Sequence, residues 1–245
     1  MKTIVGALRH LSRLVVSNVF LLDRGRGDRW LVDTGHWSER GTLLWELARA
    51  GVRPAELRGV LLTHRHSDHA GNAAFLQRRH GVKIYAHRAD AAVLEKVAPR
   101  PQIRPTRGSS AFTRFCAHFE HRLPAAPLCV DHALEHGETV AGFEVHSVPG
   151  HTAGSVFYRH EPTSTLLSGD TLLAAHPPLT WVQGLALPYP AYAEDIAQAH
   201  ASLVAFHRSG IAYENLLAGH GRPIVGGARA RALALLAEAK LDTDS

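Results

Sequence analysis

Thiols are scarce in this chain. Among 245 residues there are two cysteines, Cys116 and Cys129. That is too few for a disulfide framework, and neither stands in a Cys-x-x-Cys pair, so both read as buried or incidental thiols. Long apolar runs are missing too. No stretch approaches the roughly 18 residues that would span a bilayer, so no membrane partner is expected. Arg9 and Arg13 interrupt any apolar run near the N-terminus and no small-residue cleavage site follows. This argues against a secretory leader and for a cytoplasmic protein. Lysine is nearly absent. Four of the 27 basic residues are lysine, the arginines are scattered, and no block of like charge exists. The formal charge of +5 therefore carries no nucleic-acid footprint. A serine-nucleophile elbow, Gly-x-Ser-x-Gly, is also absent. What remains, 45% hydrophobic and 20% charged residues, is ordinary for a globular protein with an ample core.

Histidine is abundant, with 18 residues. The densest group is Thr63-His64-Arg65-His66-Ser67-Asp68-His69. It follows a short apolar run, Gly59-Val60-Leu61-Leu62, with the character of a buried strand. Three imidazoles and a carboxylate thus leave one strand end together. Neutral imidazole and carboxylate are ligands that suit zinc and its first-row neighbours. The competing reading, a solvated histidine-rich turn, suits a lone histidine pair better than H-x-H-x-D-H behind a strand.

Three further segments share this grammar of apolar strand, glycine and ligand-type residue. Val148-Pro149-Gly150-His151-Thr152 follows the stretch 143–148. Leu166-Leu167-Ser168-Gly169-Asp170-Thr171 ends in an aspartate, and Leu216-Leu217-Ala218-Gly219-His220-Gly221 in a histidine. Glycine lets the backbone turn sharply and approach a packed centre. Potential ligands at the ends of four strands suit two metal ions, each with an open position for water.

With these motifs in this order, the chain resembles the metallo-β-lactamase superfamily from about Asn18 to Pro223. The resemblance implies an α/β (α+β) fold, a four-layer αββα sandwich of two mixed β-sheets with flanking helices. It also implies a ligand set. His64, His66 and His151 would bind the first metal, Asp68, His69 and His220 the second, and Asp170 would bridge them. The cofactor is then two divalent metal ions, zinc first, with iron or manganese as alternatives. Asp33, in Trp30-Leu31-Val32-Asp33-Thr34-Gly35, matches a family position at a strand end near the metals. It reads as the residue that orients a ligand histidine through its other ring nitrogen; the plainer reading is a turn residue before Gly35.

The motifs run from position 64 to 220 and cannot be divided between independent domains, so a single domain over 1–245 is expected. Hydrophobic spacing predicts strands over 14–23, 28–33, 58–63, 82–86, 140–148, 154–160, 164–168 and 215–218. It predicts helices over 39–50, 70–79, 89–97, 191–207 and 227–240. Residues 98–127 stand apart, with five prolines and the aromatics Phe112, Phe115 and Phe119 around a helix over 109–120. So long a connection in a domain usually has a use. The superfamily commonly roofs its active site with such an insertion; a surface loop or a homodimer contact is the alternative. Residues 174–190 read as a second irregular piece, carrying His176, Trp181 and Tyr189. The expected substrate pocket is therefore Phe112, Phe115, Phe119, Trp181 and Tyr189 as apolar wall, with His176 as its polar group. Other histidines (His118, His121, His132, His136, His160) read as surface residues.

The chemistry this supports is hydrolysis. Two metals sharing a water bring its pKa from about 15.7 toward 7, which supplies hydroxide without a side-chain base. Asp68 is the expected catalytic residue, ligating the second metal while steering that hydroxide or carrying a proton. The substrate is a small molecule, and departures from family members narrow its class. Glyoxalase II carries a glutathione-holding helical domain, whereas 25 residues follow His220 here. The Gly-Cys-Gly-Arg-type segment of those enzymes and of persulfide dioxygenases is replaced by residues 172–178. Acyl-homoserine lactonases place a tyrosine where Leu173 stands. Exported β-lactamases of this motif type lack the bridging aspartate, and no RNA-gripping arm of RNase Z-like nucleases is found. A small ester, thioester or lactone is the expected substrate, with a phosphodiester next. An iron-bound redox enzyme or oxygenase is the alternative from another class, though no flavodoxin-like domain or rubredoxin cysteines accompany it. A metal-binding sensor is a third.

Overall fold

Two mixed sheets, each with its own apolar core, organise the chain. The computed structural model describes residues 2–102, 110–176 and 182–241, without side-chain detail for Phe112, Cys116, Phe119 and His121. Contacts divide the chain into two units, one of residues 1–100 with 123–134, the other of residues 101–122 with 135–245.

The first unit holds a seven-stranded sheet in sequential order: β1 (Lys2–Val5), β2 (Leu8–His10), β3 (Phe20–Asp23), β4 (Arg29–Val32), β5 (Gly59–Leu61), β6 (Lys83–His87) and β7 (His132–Leu134). Strands β1 to β4 pair antiparallel and β4 to β7 parallel. The change of sense follows from the connections. β3 and β4 are joined by Arg24-Gly25-Arg26-Gly27-Asp28, whose glycines take positive φ to close a hairpin. The parallel strands are joined through helices α1 (Arg40–Arg49), α2 (Ser67–Ala70), α3 (Ala73–His80) and α4 (Arg88–Leu94). Leu43 and Leu47 of α1 and Leu76 of α3 bury against Leu21, Leu31, Val60 and Ile84 of the sheet.

The helix expected over 70–79 is interrupted. Gly71 separates α2 from α3, and a Cβ there would lie 2.3 Å from Ser67 O and 2.6 Å from Trp37 N. Asn72 fills the break, its amide donating to the carbonyls of Thr34 and His36 at 2.9 and 3.0 Å.

The second unit begins with α5 (Ala111–Arg122). It continues with β8 (Thr139–Val140), β9 (Phe143–Ser147), β10 (Val156–His160), β11 (Thr165–Gly169), β12 (Leu173–Ala175), β13 (Gln183–Ala186), α6 (Ile196–Arg208), β14 (Asn215–Ala218) and α7 (Ala228–Glu238). Five strands form a sheet in the order β14-β11-β10-β9-β8. β11 and β14 are parallel and the remaining pairs antiparallel. Consequently β9, β11 and β14 all run the same way. Phe157, Leu166, Leu203, Phe206, Leu216 and Leu236 form this unit's core.

Several expectations need correcting. Residues 174–190 are not irregular throughout, because β12 and β13 pair antiparallel within them. In the proline-rich stretch 98–127, Ala125 belongs to the first unit's core together with the adjoining Leu128. His160 is buried, its Nδ1 2.8 Å from Thr163 Oγ1 and its ring against Phe143. Cys129 is exposed. Among the described residues no helix is long and apolar enough to cross a membrane.

Candidate metal centre

In the first unit the parallel pairing of β4 with β5 brings Asp33 and Thr63 out at the same sheet end. Asp33 adopts φ 61°, a left-handed conformation that aspartate tolerates better than most residues. The turn aims its carboxylate at the motif. Oδ1 accepts from Thr63 N at 2.8 Å, and Oδ2 accepts from Thr63 Oγ1 and His69 Nδ1, each at 2.8 Å. These bonds assign two tautomers. His69 donates its Nδ1 proton to Asp33, which leaves the lone pair on Nε2. Thr63 gives its single hydroxyl proton to Asp33, so the 3.1 Å contact between Thr63 Oγ1 and His64 Nδ1 has His64 as donor. His64 then also presents Nε2 as its lone-pair nitrogen. One aspartate thereby orients two histidines, the first through a threonine and the second directly.

The donors of this half stand close. The His64 and His66 rings are 4.8 Å apart and nearly perpendicular; those of His64 and His69 are 4.2 Å apart. Asp68 Oδ2 lies 3.4 Å from His69 Nε2. Asp68 occupies the first turn of α2, at the end of a helix that favours negative charge. The carbonyl of His69 accepts from both Thr34 N and Thr34 Oγ1, at 2.7 and 2.8 Å, which fixes its backbone. His36 sits near Asp68. Burial pushes its pKa below the usual histidine value, against the pull of the Asp68 and Glu39 charges.

In the second unit the common direction of β9, β11 and β14 carries His151, Asp170 and His220 to one end of the sheet. Asp170 Oδ2 lies 3.2 Å from His220 Nε2 and 3.7 Å from His151 Nε2. The glycines beside them are required. At Gly150 (φ 130°) a Cβ would stand 2.1 Å from Ala199 N of α6, and at Gly221 (φ 92°) 2.2 Å from the Ala174 carbonyl. The His151 loop is also held by the segment before α6. Glu194 N donates to His151 O at 3.1 Å, and the Glu194 carboxylate accepts from Ala153 N at 3.0 Å.

Of the expected pocket residues, Tyr189 and the α5 helix meet: Thr113 Oγ1, fully buried, is 3.2 Å from Tyr189 OH. Phe115 on the same helix is 58% exposed. His176 is exposed and packs over Gly184 of β13. Trp181 and the side chains of Phe112 and Phe119 lie outside the described residues. The sequence did not point to Glu194 or to Tyr192, whose ring centre is 5.5 Å from that of Tyr189. Neither carries a motif signal.

The sequence model of the metallo-beta-lactamase superfamily matches residues 12–212. The chain belongs to that superfamily. It is 29% identical over 175 residues to a probable metallo-hydrolase, YybB, of Bacillus subtilis, covering 68% of each chain. It is 35% identical over 156 residues to a hydroxyacylglutathione hydrolase of Anaeromyxobacter dehalogenans; that match covers 64% of this chain and 46% of the relative, so it spans under half of that enzyme. Among solved structures, metallo-beta-lactamase family protein TTHA1429 from Thermus thermophilus matches with a TM-score of 0.64 at 26% identity, over 96% of this chain and 79% of that one. TTHA1623 in a di-iron-bound form matches with a TM-score of 0.61 at 26% identity, over 94% and 98%. The chain thus has the expected mixed α/β fold class and belongs with the metallohydrolases of this superfamily.

Proposed function

We propose that this superfamily member is a binuclear metallohydrolase of small acyl thioesters and esters. The observation that carries the reading is the Asp33 network, which places the ring protons of His64 and His69 on Nδ1 and keeps both Nε2 atoms unprotonated. Histidines held only for packing would not need a buried carboxylate to select that tautomer. In this reading His64, His66 and His151 would hold one divalent ion, Asp68, His69 and His220 would hold the second, and Asp170 would serve both. The donors are imidazole and carboxylate without thiolate, a set that fits zinc and equally iron or manganese.

Two such ions supply an acidified water and polarise the attacked carbonyl oxygen. The chain's own residues govern the protons and the substrate. The Asp68 carboxylate, 3.4 Å from His69 Nε2, accepts a proton from the attacking water and delivers it to the departing sulfur or oxygen. The carbonyl carbon gains a C–O bond and loses its C–S or C–O bond, so the products are a carboxylic acid and a thiol or alcohol. Thioesters are favoured within this class because curated relatives are hydroxyacylglutathione hydrolases. Tyr189, Tyr192 and Phe115, together with Phe112, Phe119 and Trp181, would supply the apolar wall around the acyl group, with His176 as its polar member.

The test is a substrate panel on protein loaded with zinc or with iron. It comprises hydroxyacylglutathione, acyl-coenzyme A thioesters, aryl esters, lactones and a phosphodiester. Higher kcat/KM on thioesters and esters than on the phosphodiester is expected. A phosphodiester preference overturns the assignment.

A further inference from the structure

Between His64 and His66 stands a residue that hydrolysis does not use. Arg65 is 1% exposed, an unusual place for a guanidinium. Its Nε lies 3.5 Å from Oδ1 of Asp90, which is also 1% exposed. Asp90 belongs to the first turn of α4, where the helix end favours a carboxylate and the His87 side chain accepts from Ala89 N.

The backbone on either side of Arg65 is already held. Leu62 N donates to Tyr85 O of β6, and Thr63 N to Asp33. The His66 carbonyl accepts from His69 N and Ala70 N as α2 begins. His66 itself is extended, with φ −62° and ψ 152°. The Arg65 side chain is buried and reaches Asp90 of α4, the helix that follows β6.

We infer that the buried Arg65–Asp90 pair is a positioning device, which ties the middle of the histidine segment to α4 and so sets the spread of His64 and His66. A buried ion pair is a poor source of stability, because desolvation offsets its Coulomb gain and an apolar pair of similar volume often serves as well. What the planar guanidinium does supply is direction. The carboxylate has a second role, cancelling a cation that would otherwise sit beside two ligands of a metal dication. This inference rests on the proposed ligand roles of His64 and His66.

The experiment compares the full chain with Arg65→Met, Arg65→Met/Asp90→Leu and Arg65→Lys. It reads zinc affinity at each site by chelator competition, the cobalt(II) absorption spectrum, and the melting temperature of metal-free protein. Arg65→Met strands a buried carboxylate and melts earlier. The double variant regains the wild-type melting temperature, yet its first-site affinity stays weaker by about 10–100-fold, the usual effect of losing a partner that orients ligands. Its cobalt spectrum changes, and second-site affinity does not. Arg65→Lys keeps the charge without the fork, folds, and falls between wild type and the double variant in first-site affinity. Wild-type first-site affinity and cobalt spectrum in any folded Arg65 variant overturn the proposal. Wild-type protein that binds no metal, or His66→Ala that keeps both ions, would instead remove the ligand assignment itself.

Discussion

Replacing Asp33 by Asn isolates what its carboxylate does. Asparagine has the same shape and also tolerates the left-handed backbone at φ 61°, so strain is unchanged. The amide, however, replaces one acceptor by a donor. If its nitrogen takes the place of Oδ2, it meets two hydrogen atoms, those of Thr63 Oγ1 and His69 Nδ1. Thr63 can rotate its hydroxyl. His69 can comply only by moving its proton to Nε2, which then has no lone pair for a metal. If the amide turns the other way, its nitrogen faces the buried Thr63 N–H and leaves that donor unsatisfied. A hydrogen bond to a charged group contributes about 1.5–3 kcal/mol and an unsatisfied buried donor costs about 1–3 kcal/mol. Either orientation therefore lowers the stability of metal-free protein by roughly 1–3 kcal/mol. Second-site metal affinity should fall by about 10–100-fold, with His66 and the first site less affected. Urea unfolding of metal-free protein and two-site zinc competition measure the two quantities. Second-site affinity equal to wild type would falsify the claim that Asp33 sets the His69 tautomer.

Four other outcomes are expected. Asp68→Asn should keep the fold and first-site metal and lose about 10²–10⁴-fold in turnover; near wild-type rates on the best substrate refute its proton-carrying role. Reconstituted protein should hold two metal equivalents and His220→Ala one, by mass spectrometry of the elements; a single equivalent in both rejects the binuclear site. Acid should destabilise metal-free protein through buried histidines. His207 donates Nδ1–H to Leu203 O and accepts from Tyr213 OH, and burial lowers its pKa, as it does for His146. Above the unfolded value of about 6.5 neither state holds the proton; as pH falls through about 6.5 the unfolded chain takes it up first, so stability drops toward the lower folded pKa. A melting temperature that is flat across that range, or as steep in His207→Leu/Tyr213→Phe, contradicts this. Finally, Phe115→Ala and Tyr189→Phe should raise KM or reorder the substrate panel at constant metal content; unchanged ranking removes them from the pocket.

Which of these features the sequence displays depends on how far apart their causes lie. The proposed ligand residues are conspicuous because strand, glycine and donor are adjacent in the chain, so each motif contains its own explanation. Gly150 and Gly221 carry positive φ and have no room for a Cβ, and their place beside His151 and His220 shows in a short window. The partner of a ligand is different. Asp33 meets Thr63 and His69 only because β4 lies parallel to β5, a pairing that no local periodicity reports. Its match to a family pattern suggests a role, but the Thr63 link to His64 shows only in the folded chain. Arg65 stands in plain view inside the motif, yet Asp90 lies on the helix beyond the neighbouring strand, and nothing in either residue type announces a buried pair. Short strands such as the edge strand β1 and its neighbour β2 escape for a related reason: three or four residues with mixed exposure lack a readable alternation. The split has a consequence for function. In the proposed reading, metal chemistry follows from residues that are near in sequence, whereas ligand orientation and the acyl pocket would depend on contacts such as Glu194 with the His151 loop and Thr113 with Tyr189. On that reading selectivity resides in side chains that composition and spacing leave unmarked, and substitutions there should alter affinity and substrate ranking before they alter the reaction.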